Sequence, residues 1–400
     1  MKNFIPRTIY KTKIEPYLEK SLVKVLIGQR RVGKSYLLFQ IIDEIKKRHK
    51  TPNIVYISLE LNEFEHLNDS ESLYQYIKSK SLKNELNFVF IDEIQMVKNF
   101  EKCLKSLLAE ELYDIYCTGS NAYLLSGEIG TVLGGRYIEV IVNSLTYKEF
   151  LVFHKLENHA DSLEKYLKYG GLPYLIHLEM EDDIVFDYLH NINQSIMFRD
   201  VVARFEVRNA GLLDRLLKYL AKETGHIISA RSIVKFLKSQ KIPVSINAIL
   251  NYLHYFNNAM LISKVSRSDL RGKKIFEIGE KYYFNDVGLR NAIAGYSPFD
   301  LGQIVENIVF LHLRSMGYFV LIGQEGDREI DFVAEKKGEI IYLQVALRIS
   351  EKKTMEREFE NLLSINNNYP KYVITLDEYT GASYEGIQHI PLRIFLSEFQ

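Results

Sequence analysis

The chain lacks several features that would each settle its class. It has two cysteines, Cys103 and Cys117, in 400 residues. That argues against a disulfide framework and against a cysteine-built zinc site. Its ten histidines never fall at His-x-x-x-His spacing, so a zinc site is not expected. Tryptophan is absent while tyrosine reaches 27, a bias that suits half-buried strands better than a base-stacking platform. Neither sign of charge dominates: Lys+Arg and Asp+Glu are 51 each. Any preference for nucleic acid must therefore be local. No run of 18 apolar residues occurs, which argues against a spanning helix and a membrane partner. The first twenty residues lack a signal-peptide core, and the expected setting is cytoplasmic.

What is present is ordinary globular material, 47% hydrophobic and 26% charged. That is enough for packed cores, and the length implies roughly two to four domains. Short apolar strands alternate with helical patterns from the start. Strands are expected at 21–28, 53–60, 86–95, 112–121 and 135–145, with helices at 34–50 and 97–111. Near-continuous apolar strands in such alternation predict a parallel sheet covered on both faces. After about residue 150 the pattern turns helical, around "YGGLPYLI" (169–176). Three short helical patterns follow between 205 and 260, then a hairpin-like stretch, an order that suits a winged helix. A helix at 302–316 and strands near 318–323, 329–335 and 340–347 come last.

The stretch "GQRRVGKS" fits GxxxxGK[ST] between an apolar strand and a helix. Gly28 and Gly33 let the backbone curl so that the N–H groups of Gly28, Gln29, Arg30, Arg31, Val32, Gly33, Lys34, Ser35 and Tyr36 face a phosphate chain. Lys34 reaches the terminal phosphates, and Ser35 offers a hydroxyl to Mg²⁺. Arg30 and Arg31 are not needed for this geometry; they add positive potential or pair with acids elsewhere. Asp92 and Glu93 end the apolar stretch "FVFIDE", where ligands sit in open α/β sheets. Asp92 is expected to hold Mg²⁺ through water and Glu93 to activate the attacking water. Ser120 or Asn121, ending the next strand, is placed to sense the terminal phosphate. Arg136 is either a surface arginine or a transition-state arginine, acting in cis or offered to a neighbouring subunit.

Together, "GQRRVGKSYLL", "FVFIDEIQ", "CTGSNAYLLSGEIGTVLGGRYIEVIVNSLTYKEF" and "YGGLPYLI" resemble the prokaryotic AAA-type ATPase family whose C-terminal part is a domain of unknown function. The resemblance covers essentially the whole chain. It implies ATP binding and hydrolysis, and an ATPase core followed by a winged helix and a restriction-endonuclease-like fold. The expected class is α/β: a P-loop core over 1–150, a helical segment completing it over 151–204, a winged-helix-like domain over 205–278 and a PD-(D/E)XK-like domain over 279–400.

Charge separates the possible roles of the later segments. Residues 201–275 carry 14 Lys+Arg against 4 Asp+Glu, with "SRSDLRGKK" as a basic wing. That suits non-specific DNA contact. The helix that would read bases, 245–260, has no Lys or Arg, only Asn247 and Asn251 on offer, so docking on the ATPase core is the competing reading. In the last domain Glu306, Asp331 and Gln344 fall where a nuclease site would lie, but Ala346 stands where its lysine belongs. Arg348, Lys352 and Lys353 are nearby substitutes. A degenerate, non-cleaving fold is expected. The chain reads as an ATP-driven switch acting on DNA, a protein or copies of itself. The alternatives are a DNA- or protein-binding regulator with ATP as structural ligand, and an ATP-gated nuclease.

Overall fold

The apolar run Val23–Ile27 forms β1, with all five residues buried. Such a strand needs cover on both faces, and the chain supplies it with parallel neighbours and flanking helices. The computed structural model describes residues 4–121, 128–270, 279–348, 359–378 and 383–399. The chain divides into two compact units, Met1–Asn143 with Asn258–Met260, and Ser144–Asn257 with Leu261–Gln400.

The first unit opens with helix α1 (Thr8–Ile14) and then β1. Helix α2 (Lys34–Arg48), β2 (Asn53–Ser58), α3 (Ser70–Lys80), β3 (Asn87–Asp92), α4 (Phe100–Ala109), β4 (Tyr113–Gly119), α5 (Glu128–Leu133) and β5 (Tyr137–Ile141) follow. The strands form one sheet in the order β2-β3-β4-β1-β5, and every pairing is parallel. This is the core expected of a P-loop nucleotide-binding protein. Helix α3 was not anticipated from the sequence; Asp69 and Ser72 start it with a reciprocal capping box. At the N-terminal end of the strands lies a buried pair, Lys24 with Asp114. Burial lowers the Lys24 pKa even so. Its ammonium also donates to the carbonyls of Lys20 (2.7 Å) and Leu22 (2.9 Å), which makes the buried charge tolerable.

The second unit begins with α6 (Tyr147–His154), started by a Thr146–Glu149 capping box, and α7 (Ala160–Tyr169). The "YGG" that follows has a steric reason. Gly170 has φ +74, and a Cβ on Gly171 would lie 2.4 Å from the Leu145 carbonyl oxygen. The Gly171 N–H donates to Asp286 Oδ2 at 2.9 Å. Helices α8 (Asp182–Ser195), α9 (Ala210–Lys222), α10 (Ala230–Ser239) and α11 (Ile246–Asn258) come next. Strands β6 (Ile262–Asp269) and β7 (Glu280–Phe284) pair antiparallel; the hairpin-like stretch contains β6, but its second half, residues 271–278, lies outside the described residues and β7 follows it. Helices α12 (Val287–Ala294) and α13 (Leu301–Ser315) lead into β8 (Phe319–Glu325), β9 (Arg328–Lys336), β10 (Glu339–Ala346), β11 (Lys371–Thr375), β12 (Ser383–Tyr384) and β13 (Ile387–Pro391). These strands share one mixed eight-stranded sheet with β6 and β7, in the order β12-β13-β11-β10-β9-β8-β6-β7. Strand β6 pairs with β7 through Ile262–Ser266 and then with β8 through Arg267–Asp269. Helix α13 buries Ile304, Val305, Ile308 and Leu313 in the core beneath this sheet. Among the described residues, no helix is long and apolar enough to cross a membrane.

Candidate functional site

The glycine-rich turn leaves β1 at its C-terminal end and enters α2 at Lys34. Gly28 is obligatory: a Cβ there would lie 2.2 Å from the Val142 carbonyl oxygen. Gly33 has φ +92, the left-handed region that glycine adopts at least cost. No side chain caps α2 at Gly33, so the first turn keeps its N–H groups for something else. The Lys34 ammonium donates to the carbonyls of Gly28 (3.0 Å) and Gln29 (3.1 Å), folding back over the loop. The Gln29 side chain is 2% exposed and neither of its polar atoms has a partner among the described residues. A cradle with a lysine over it and an unsatisfied buried amide inside it fits an anionic, hydrogen-bonding occupant.

The acids arrive from β3. Asp92 accepts from Thr118 Oγ1 at 2.5 Å and from Ser35. Burial pushes its carboxyl up from the ordinary range, against the pull of those two hydroxyls. Burial and the Asp92 charge push neighbouring Tyr56 up to about 12. Glu93 sits at φ 60, ψ 50, a left-handed conformation that a non-glycine residue adopts at some cost. Its N–H donates to Thr118 Oγ1 at 2.8 Å, which fixes that turn. The turn brings Glu93 Oε1 to 3.8 Å from Lys34 Nζ. Gln95 Nε2 donates both to Glu93 Oε2 and to Ser120 Oγ, the latter at 3.2 Å. Ser120 and Asn121 are buried at the end of β4. Lys34, Ser35, Asp92, Glu93 and Ser120 therefore converge at the C-terminal edge of β1, β3 and β4. Ser35 Oγ and the Asp92 carboxylate suit a hard cation such as Mg²⁺, which takes oxygen ligands.

Other residues are placed differently. Tyr36 is half exposed. Arg30 pairs with Glu60 at 3.4 Å, and Arg31 is exposed with φ +71. Arg136 is exposed at the start of β5, its carbonyl accepting from the Val23 N–H at the opposite end of the strands from the loop. Two residues near the loop escaped the sequence reading. Gln95 ties Glu93 to Ser120. Arg7, 3% exposed, donates to the carbonyls of Val32 (3.1 Å) and Asn143 (3.0 Å) and lies over the Tyr10 ring. Nothing in "FIPRTIY" marks that arginine, because its partners lie 25 and 136 residues away.

In the second unit Glu306 (α13), Asp331 (β9) and Gln344 (β10) do come together. Gln344 Oε1 accepts the Asp331 N–H at 3.4 Å. Glu306 and Asp331 share a cation that was sought elsewhere, Lys281 of β7, at 2.8 and 3.7 Å. Burial and the Glu306 charge push the Asp331 carboxyl above the ordinary carboxylate range, against the pull of Lys281. Burial lowers Lys281, but Glu306, Asp331 and Glu329 outweigh it and hold it above the ordinary lysine range. Arg348 is exposed, and Lys352, Lys353, residues 271–274 of the basic wing and residues 124–127 of the "LLSGE" motif lie outside the described residues. Arg215, Lys218, Lys222, Arg231, Lys235, Lys238 and Lys241 are exposed on α9, α10 and the turn after it.

Comparison with known proteins agrees with the AAA-type core of the first unit. Residues 20–151 match an AAA domain, and residues 160–300 match a domain of unknown function, DUF8612. An uncharacterized protein of Haemophilus influenzae is 35% identical over 396 residues, 97% of this chain and 98% of that one. One from Methanocaldococcus jannaschii is 33% identical over 317 residues, 76% and 69% of the two chains. Among solved structures, the Aeropyrum pernix ORC1 protein in complex with DNA aligns at TM-score 0.33 and 12% identity, over 73% of this chain and 93% of that one. AMPPCP-bound DnaA from Aquifex aeolicus aligns at TM-score 0.32 and 14% identity, over 64% and 90%. Likeness of that degree carries no argument about function. The sequence relatives show a family: this chain, with its AAA domain, belongs to the one that the uncharacterized Haemophilus and Methanocaldococcus proteins represent.

Proposed function

We propose that this protein is a Mg²⁺-dependent ATPase of AAA type whose nucleotide state repositions its second unit on a partner. The observation that carries the reading is the meeting of Lys34, Ser35, Asp92 and Glu93 at one end of the sheet, with Glu93 Oε1 3.8 Å from Lys34 Nζ. With ATP in the cradle, Lys34 leaves the carbonyls of Gly28 and Gln29 for the phosphate oxygens. Ser35 and Asp92 hold the metal, which when bound offsets phosphate charge. Released from Lys34, the Glu93 carboxylate accepts a proton from the attacking water. Ser120, tied to Glu93 through Gln95, reports the terminal phosphate, with Asn121 beside it. Arg136, exposed and at the far end of the strands, acts in trans on a neighbouring copy.

A second reading rests on Glu93 being engaged on both oxygens, by Lys34 and Gln95. If nucleotide binding does not release it, ATP is a structural ligand and the protein a regulator with negligible turnover. Glu93→Gln separates the two. In the ATPase reading the variant binds ATP normally and hydrolyses it about 10²–10⁴-fold more slowly. Equal rates in both proteins would sink the assignment of Glu93.

For the second unit, the helices α9–α11 and the β6–β7 pair support a winged-helix-like role. Its exposed cations favour non-specific backbone contact over base reading, since α11 carries no Lys or Arg. Docking against a protein remains the competing use. The segment around Glu306, Asp331 and Gln344 serves as a nuclease-like fold that binds rather than cuts.

A further inference from the structure

The acidic cluster of the second unit is organised around a cation that the chain itself carries. Lys281 Nζ lies 2.8 Å from Glu306 Oε1, 2.7 Å from Glu329 Oε1 and 3.7 Å from Asp331 Oδ1. The carboxylates come from α13 and β9, and the lysine from β7. Its side chain is 3% exposed, so water does not share the ammonium in any quantity. The other groups are committed as well. The Tyr283 hydroxyl donates to Glu306 Oε1 at 2.5 Å, and the Val345 N–H donates to Asp331 Oδ2 at 2.8 Å. Gln344 turns its side-chain oxygen to the Asp331 backbone.

We infer that the Lys281 ammonium is the resident cation of this cluster and stands where a divalent metal would otherwise be held. Three carboxylates around one point make a metal-ligating set only if that point is vacant. Mg²⁺ needs its oxygens at about 2.0–2.1 Å in near-octahedral array. A metal placed between Glu306 and Glu329 would fall almost on Nζ, and the two positive charges repel. Gln344 is neutral and supplies no compensating carboxylate. The cluster is therefore a filled, metal-independent junction joining α13 to β7 and β9. It keeps the outline of a cleavage site without the cation that cleavage would use. The inference deepens the non-cleaving reading of this unit and does not depend on the phosphate loop binding ATP.

Mn²⁺ titrated calorimetrically into the nucleotide-free full chain tests it. Wild type and Asp331→Asn are expected to take up the same Mn²⁺, because the wild-type cluster takes none. Lys281→Met is expected to have a lowered melting temperature, to gain one saturable Mn²⁺ site, and to recover stability as that site fills. The double variant Lys281→Met/Asp331→Asn loses the gain. Mn²⁺ uptake by wild type that Asp331→Asn abolishes would overturn the inference, as would a folded Lys281→Met with no gain. If Lys281→Met does not fold, the comparison of wild type with Asp331→Asn still decides. Plasmid cleavage, measured separately, distinguishes the failures: uptake without cleavage overturns only the filled site, whereas Mn²⁺-dependent cleavage lost in Asp331→Asn overturns the non-cleaving reading too.

Discussion

Arg30 and Arg31 stand side by side in the loop and are held differently. Arg30 spans to Glu60 across a partly exposed gap of 3.4 Å, a contact worth little on its own. Arg30→Ala should cost less than about 1 kcal/mol in chemical unfolding. Arg31 adopts φ +71, where a Cβ is a liability. Arg31→Gly relieves that conformation but frees the unfolded chain, so stability should stay level or rise by about 1 kcal/mol. A loss of more than that would mean the Arg31 side chain contributes a contact beyond local potential. Glu93 shows the same signature at φ 60, inside the site. Each is a conformation that a non-glycine residue adopts at some cost. Neither conformation is visible in a residue string, since it is set by what the neighbouring strands do with the chain.

At the scale of elements, β1, β3 and β4 were legible because they are buried throughout and mostly apolar, interrupted within β1 by Lys24 and within β4 by Asp114. Helix α3 was not, with only Leu73 and Ile77 buried along eleven residues. Lys281 escaped for another reason. Nothing in "EKYYF" marks it, and only the route of β6 from β7 to β8 brings it near Asp331. Strand β10 carries Ala346 and no lysine, and the cation paired with Asp331 comes from β7 instead. Arg7 joins α1 to the loop after β1 in the same hidden way. Arg7→Ala leaves the buried Val32 carbonyl and the part-buried Asn143 carbonyl short of a donor, at a cost of about 1–3 kcal/mol. Nucleotide affinity should fall with it, which a paired unfolding and binding titration would check; unchanged affinity would remove Arg7 from the loop's support. Helices α6 and α13 set the acid response. Burial lowers His154 and His312 to about 4, so both stay neutral in the folded chain. The unfolded chain takes up those protons first, near pH 6.5. Stability is therefore present above about pH 6.5 and lost as the pH falls toward 4. His312→Gln should make that loss shallower in calorimetric scans from pH 7 to 4.5, and an unchanged slope would contradict the assignment.

At the scale of the whole molecule, the second unit carries the choice of partner. Neutral overall charge hides a basic stretch whose lysines and arginines are exposed on α9 and α10. If they meet a DNA backbone, affinity should fall about 10³–10⁵-fold between 50 and 200 mM salt for six to ten phosphate contacts, and proportionately less for fewer. Affinity that ignores salt would favour protein docking. An ATPase rate that rises with protein concentration, and no longer does so in Arg136→Ala, would place that arginine on a neighbouring copy. All of these uses presuppose nucleotide in the cradle between β1 and α2. The most direct test is equilibrium ATP binding to wild type and Lys34→Ala, with folding verified for both. The account predicts saturable, Mg²⁺-assisted binding by wild type and its loss in Lys34→Ala without loss of fold. Equal ATP affinity in the two proteins would contradict it.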